Sequence, residues 1–259
     1  STVDHIYLNP VGLDPMLYWL AIWGFTVQIY CDFSGYTDMA IGSALMLGIN
    51  LPLNFNKPYT AYNLQEFWQN WHITLSKWLR DYLYIPLGGA YCSKNRHFVN
   101  ILITMILGGL WHGANWTFII WGALHGAGII LVHLVKYSPF LSKLFSYIPR
   151  QFKWFLTILF VMLAWVFFRS PDLNTAWIII SGAFALPTSL GSNFLYANMF
   201  PLLIISIFAI THRFDSIRNI RLLYRKSNKI ILGVFILATW VISIAVSSGS
   251  SNQFIYFDF

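Results

Sequence analysis

Eight apolar segments joined by short polar stretches constrain this 259-residue chain more than any other feature. They are Leu13–Cys31, Gly35–Leu51, Phe98–Gly109, Trp116–Val135, Trp154–Phe168, Asn174–Leu186, Asn198–Thr211 and Ile230–Val246. Only 10% of residues are charged while 57% are hydrophobic, and mean hydropathy is +0.60. A soluble domain carries about 25% charged residues. The expected class is therefore all-α, a polytopic helical membrane protein. Twelve Trp and fourteen Tyr suit aromatic belts at two membrane–water interfaces.

The net charge of +7 sits in loops between apolar runs, which points to cytoplasmic anchoring and not to nucleic acid. Lys136, Lys143, Arg150 and Lys153 fall in one acid-free loop, and 213–229 carries six Lys or Arg against one Asp. If both loops face the cytoplasm, the segments between them make an even number of crossings. Three lie there, so the short one flanked by Pro171 and Pro187 is expected along the interface. The last span then leaves the tail outside, and the localisation expected is the plasma (inner) membrane, multi-pass. Cys31 and Cys92 are too few and too far apart for a disulfide framework or a Cys-rich metal site. Residue 1 is Ser, with no signal-peptide pattern, so a fragment or a processed product is expected.

Within this framework several segments carry polar residues. The first helix is expected to end at the Asp32–Gly35 turn. Gly35–Leu51, with Thr37 and Asp38, is expected to pack inside a bundle, because an Asp at a helix centre costs about 2.5–3.5 kcal/mol on insertion scales. Over Asn63–Ile85, a step of about 100° per residue puts Phe67, Trp68, Trp71, Leu75, Trp78, Leu79 and Tyr82 on one arc, opposite Glu66, Asn70, Lys77 and Asp81. That pattern predicts one amphipathic helix, interfacial or re-entrant. His72 lies at the arc's edge, followed by Ser76 and Arg80 at i+4 and i+8. The twelve residues of Phe98–Gly109 reach about 18 Å, short of a hydrocarbon core of about 30 Å. The spacing thus predicts a broken helix near mid-membrane, ending at Gly108–Gly109 and holding His112 in non-helical backbone at depth.

An ionisable group at that depth opens a functional hypothesis. There is no phosphate loop, no H-E-x-x-H and no G-x-S-x-G, and Glu66 is the only glutamate. What remains is His112, flanked by Trp111 and Asn115, with His72 and the carboxylates Asp32, Asp38 and Asp81. A buried neutral imidazole can take a proton from a hydroxyl attacking a thioester. It can equally be a hydrogen-bonded packing residue, and spacing alone leaves both open. His125 and His133 read as packing residues. His5, His97 and His212 fall in loops or at helix ends and carry no signal.

Two motifs carry a resemblance. FWQNWHITLSKWLRDYLYIPLGG (Phe67–Gly89) and GGLWHGANWTFIIWGALHG (Gly108–Gly126) resemble the signatures of membrane-bound O-acyltransferases, in the branch that acetylates alginate. QIYCDFSGYTDMAIG (Gln28–Gly42) and FIYFDF (Phe254–Phe259) look like the same branch, so the likeness spans nearly the whole chain. RDYLYIPLGG favours this branch over the D-alanyl transfer proteins.

The resemblance implies a single membrane domain over 1–259 that matches the C-terminal part of a longer protein, with a channel through the membrane. It implies catalytic roles for His112 and His72, with Trp111, Asn115, Ser76, Arg80, Asp81, Asp32 and Asp38 as channel or supporting groups. It implies no bound cofactor, with acetyl-CoA or another acyl thioester as the cytoplasmic donor substrate. The acetyl group would pass outward to an exopolysaccharide. The implied partners are the bilayer, the donor, outer-side (periplasmic) acetyl-transfer proteins and the N-terminal helices of the same protein. A polysaccharide-precursor transporter or flippase, or a non-catalytic membrane scaffold, remains an alternative.

Overall fold

The computed structural model describes residues 2–186, 194, 197–215 and 225–247. The terminal FIYFDF sequence and most of the 213–229 cationic loop lie outside the described residues. The described residues form helices and joints, with no strand among them.

The helices are α1 (Thr2–Leu8), α2 (Pro15–Met46), α3 (Leu64–Asn70), α4 (Ile73–Leu79), α5 (Lys94–His112), α6 (Trp116–Tyr137), α7 (Pro139–Ser146), α8 (Arg150–Arg169), α9 (Leu173–Ala183), α10 (Met199–Thr211) and α11 (Lys229–Ser247). Local sequence explains many of their starts. Asp14 accepts a hydrogen bond from the Met16 N–H at the head of α2, with Pro15 in the first turn. Asn63, Asn115, Ser138 and Asp172 cap α3, α6, α7 and α9 in the same way. Glu66 reaches back to the Tyr62 N–H while Asn63 accepts from the Glu66 N–H, a variant of the capping box.

Four boundaries differ from the sequence expectation. First, α2 does not stop at Asp32–Gly35 but runs on to Met46, since no proline interrupts its hydrogen-bond ladder and Thr37 returns its hydroxyl to Phe33 and Ser34 carbonyls. Its second half is mainly exposed, and Phe33 is its last buried residue, so Gly35–Leu51 is not packed inside the described bundle. Second, Asn63–Ile85 is not one amphipathic helix. It breaks at Trp71–His72 into α3 and α4, and a π-helical turn, Arg80–Tyr84, follows. Third, the helix expected to end at Gly108–Gly109 continues through His112. At about 1.5 Å per residue its 19 residues reach about 28 Å, well beyond the expected reach of about 18 Å and close to the thickness of the hydrocarbon core. The interruption follows His112, at Gly113–Asn115. Fourth, the cationic 136–153 loop contains α7.

The glycines expected to break α5 instead bring it against α6. The pair is an antiparallel hairpin in which a Cβ at Gly109 would overlap the Phe118 carbonyl and one at Gly122 would overlap the Met105 carbonyl. Where lipid removes the drive to exclude water, such backbone contact is what holds helices together. Behind this hairpin lies the aromatic core, where Trp71, Trp121, Trp165, Phe67 and Phe168 are fully buried. Trp121 and Trp165 stack with centroids 5.8 Å apart. Two helices, Trp116–Tyr137 and Arg150–Arg169, are long and apolar enough to cross a membrane.

Candidate active site

His72 owes its placement to a backbone conformation that the arc of apolar residues gives no hint of. It is the residue before α4 and adopts the left-handed region, φ 42° and ψ 55°, which a side chain other than Gly rarely occupies and which costs on the order of 1 kcal/mol or more. Asn54, itself buried, holds the bend. Its backbone carbonyl accepts from the Ile73 N–H at 2.9 Å. Its side-chain Oδ1 accepts from the Thr74 N–H at 3.2 Å and the Thr74 hydroxyl at 2.8 Å.

That second set fixes the tautomer of the histidine. A backbone N–H can only donate, so the Asn54 atom facing it is the oxygen. His72 Nδ1 lies 3.1 Å from the same oxygen and must carry the proton to bond it. The lone pair is then on Nε2, the atom of a potential base. Phe33 and Phe55 flank the ring, with centroids 4.7 and 6.5 Å away. Burial pulls the His72 pKa down to about 4, so at neutral pH the imidazole is uncharged.

His72 lines a cavity of about 590 Å³ between α4 and α5, together with Thr74, Leu79, Leu107 and Trp111. Trp111 is 62% exposed. The next residue, His112, is buried at the last position of α5. Its ring is packed edge-on against Phe168 and Trp121, with centroids 4.9 and 5.4 Å away, and near Trp111 and Phe118. His72 and His112 are close enough for a charge on one to be felt by the other. The structure therefore brings together His72, Trp111 and His112, with the cavity reached by His72 and Trp111.

The other expected site residues play different parts. Asn115 caps α6, and its amide donates to the Pro171 carbonyl at 2.8 Å, tying the hairpin turn to the α8–α9 joint. Ser76 donates to the Trp71 carbonyl across the bend. Arg80 and Asp81 pair with each other at 2.7 Å on the surface, where the guanidinium holds the Asp81 carboxyl below the usual carboxylate range. Asp32 is half-buried on α2. Asp38 lines a cleft with Tyr30, His212 and Asp215, apart from the cavity at His72. Asp38 and Asp81 thus stand outside the cavity that His72 lines.

Several functional candidates escaped the sequence reading. Asn54 is one, since only its contact across 18 residues reveals it. His97 and His133 are another, with ring centroids 4.9 Å apart and the Tyr84 hydroxyl 2.8 Å from His97 Nδ1. His125 is fully buried, accepting from the Trp68 indole at 3.2 Å. Among the described residues no group of three or more His, Cys, Asp or Glu is arranged to hold a metal ion.

The structure thus sets a neutral imidazole beside a cavity on a helical scaffold that includes two membrane-length helices. The model of the membrane-bound O-acyltransferase family matches residues 14–170, and this chain belongs to that family. The match is narrower than the near-complete likeness expected from the motifs. A probable alginate O-acetylase of Azotobacter vinelandii is 46% identical over 167 residues, covering 64% of this chain and 32% of that protein. A peptidoglycan O-acetyltransferase of Helicobacter pylori is 48% identical over 164 residues, covering 63% and 31%. A teichoic acid D-alanyltransferase of Bacillus subtilis is 32% identical over 155 residues, covering 57% and 38%. The chain thus spans about a third of the length of these relatives.

Proposed function

We propose that this chain is the C-terminal catalytic portion of a multi-pass inner-membrane O-acetyltransferase, with His72 and His112 as its catalytic groups. The observation that carries the reading is the Asn54-fixed tautomer of His72, which leaves the Nε2 lone pair as a base on a residue lining a cavity that Trp111, the neighbour of His112, also lines. The acetyl group comes from a cytoplasmic thioester such as acetyl-CoA. As an acceptor hydroxyl adds to the thioester carbonyl, its proton passes to an imidazole. The tetrahedral intermediate collapses, the C–S bond breaks, and the proton goes on to the leaving thiolate.

The final acceptor is an exopolysaccharide hydroxyl of the alginate type, reached through outer-side transfer proteins. The likeness to a peptidoglycan O-acetyltransferase favours cell-wall polysaccharide as a second acceptor class. Trp111 and Asn115 serve as wall and brace in this scheme, and Ser76 supports the bend. The test is His112→Ala in the full-length protein, with acetyl ester on the polymer measured at matched membrane abundance. Loss of ester is expected. Unchanged acetylation excludes a catalytic His112 and leaves a transporter or a scaffold as the better reading.

A further inference from the structure

A second cavity, of about 320 Å³, lies between α2, α8 and α10, away from the His72 cavity. Its volume falls in the range of small-molecule sites. Its walls are apolar and aromatic, with Trp23, Val27, Trp154, Ile158 and Phe208 among them, while Arg150 and Arg213 line it as well. No carboxylate lines it among the described residues.

The polar atoms of this cavity divide into two sets. One set is committed within the protein. Thr26 donates to the Ile22 carbonyl, Thr60 to the Lys57 carbonyl, and the Trp154 indole to the Tyr59 carbonyl. The other set is cationic or donates. Arg150 lies 4.0 Å over the Tyr62 ring and Arg213 4.7 Å over the Phe214 ring, and neither stands in an ion pair among the described residues. Asp215, the nearest carboxylate in sequence, accepts from the Tyr30 hydroxyl. His212 is 5% exposed. Its Nε2 accepts from the Tyr59 N–H at 3.2 Å, so in the neutral ring Nδ1 carries the proton. Among the described residues that buried N–H makes no hydrogen bond of good geometry, the Lys57 backbone being the partner nearest to one, and a buried donor so placed gains about 1–3 kcal/mol from a well-aligned acceptor.

We propose that this cavity binds an anionic phospholipid, with the headgroup phosphate held by Arg150 and Arg213 beside the His212 donor. One acyl chain lies against Trp23, Val27, Ile158 and Phe208. The ligand is a lipid and not the thioester donor for a physical reason. The amides of a pantetheine arm need several hydrogen-bond partners along their length, whereas these walls are mainly apolar and aromatic. The Thr26 and Thr60 hydroxyls and the Trp154 indole are engaged within the protein, and only Gln151 and the Tyr62 hydroxyl remain as neutral polar groups beside His212. A hydrocarbon chain needs none. Basic pockets between membrane helices are suited to such headgroups.

The experiment uses the purified full-length protein in neutral detergent, with native mass spectrometry to count bound lipid and thermal unfolding to read protection. Phosphatidylglycerol is compared with phosphatidylcholine of the same chains, inorganic phosphate and coenzyme A. Phosphatidylglycerol is expected to bind and protect. Arg150→Gln and Arg213→Gln are each expected to weaken it about tenfold, as the loss of a charged hydrogen bond implies. Ala209→Trp, at an exposed position on the cavity wall, keeps both arginines but fills the space, and is expected to abolish binding without lowering the unliganded midpoint. Lys143→Gln on α7, outside the cavity, is expected to change nothing. Equal binding of phosphatidylcholine overturns the proposal. So does equal protection by phosphate alone, displacement of the lipid by coenzyme A, or undiminished binding in both arginine variants.

Discussion

Replacing Asn54 by Ala removes an oxygen that receives three donors: the Thr74 N–H, the Thr74 hydroxyl and the His72 Nδ1–H. Each neutral hydrogen bond contributes about 1 kcal/mol net, and a buried donor left unmade costs about 1–3 kcal/mol. Local destabilisation of about 2–4 kcal/mol is expected on that basis, lessened where water reaches the site. The larger effect is on chemistry. Without the oxygen, the proton on His72 can move to Nε2 and block the nitrogen that acts as base, and the left-handed bend loses its clamp. Acetyl transfer by the full-length protein is expected to fall by at least about tenfold and by no more than the roughly 10²–10⁴ a general base is worth. The decisive measurement is the double variant. If Asn54 acts through His72, Asn54→Ala combined with His72→Ala is no slower than His72→Ala alone. Additive losses, or a normal rate for Asn54→Ala at equal membrane abundance, refute the tautomer argument.

Further predictions address the base, the scaffold and the periphery. With His72 as the proposed base, the uncharged ring is the active form, and the acid limb in the pH dependence of kcat/KM is expected near about 4, the value to which burial lowers it. Asn54→Asp places a carboxylate beside the ring, raises its pKa and moves that limb to higher pH, and an unmoved limb contradicts the assignment. Gly109→Ala or Gly122→Ala forces a methyl group into a facing carbonyl, so each is expected to cost about 1–3 kcal/mol in thermal unfolding, and an unchanged midpoint contradicts the hairpin contact. Arg80→Gln breaks only an exposed pair and should leave thermal stability and acetylation as they are, whereas lost acetylation would return Arg80 to the site. Cysteines placed at Lys143 and Ser227 in a background without Cys31 and Cys92 should resist a membrane-impermeant reagent from outside, and strong labelling of either overturns the inner placement of those loops.

Apolar runs make several helices legible from the sequence. The segments opening at Trp116 and Asn174 correspond to α6 and α9, which start at Trp116 and Leu173 behind the caps Asn115 and Asp172. The interruptions were not legible, and for one reason in two places. Glycines at 108–109 and a continuous apolar arc over 63–85 each have two outcomes, and tertiary contact decides between them. The short apolar run that ends at Gly108–Gly109 suggests a break, but α6 lies close enough to exploit the missing side chain of Gly109. The arc at Phe67–Tyr82 looks continuous because periodicity does not register a single left-handed residue, and the Asn54 that stabilises it is remote in sequence. The pairing of His72 and His112 was legible only through the family motifs. Their spacing of 40 residues carries no geometric information of its own.

The contact between the α5 and α6 backbones bears on how such a scaffold can diversify. Main-chain atoms at Gly109 and Gly122 set the separation of the two helices, so the registration of the buried ring at 112 does not depend on the bulk of the surrounding aromatic residues. Cavity-facing positions such as Leu75, Trp78 and Leu107 can therefore be exchanged to reshape the cavity while the separation of the two helices stays as it is. A designer seeking a new donor would alter those walls first and leave the two bare α-carbons untouched.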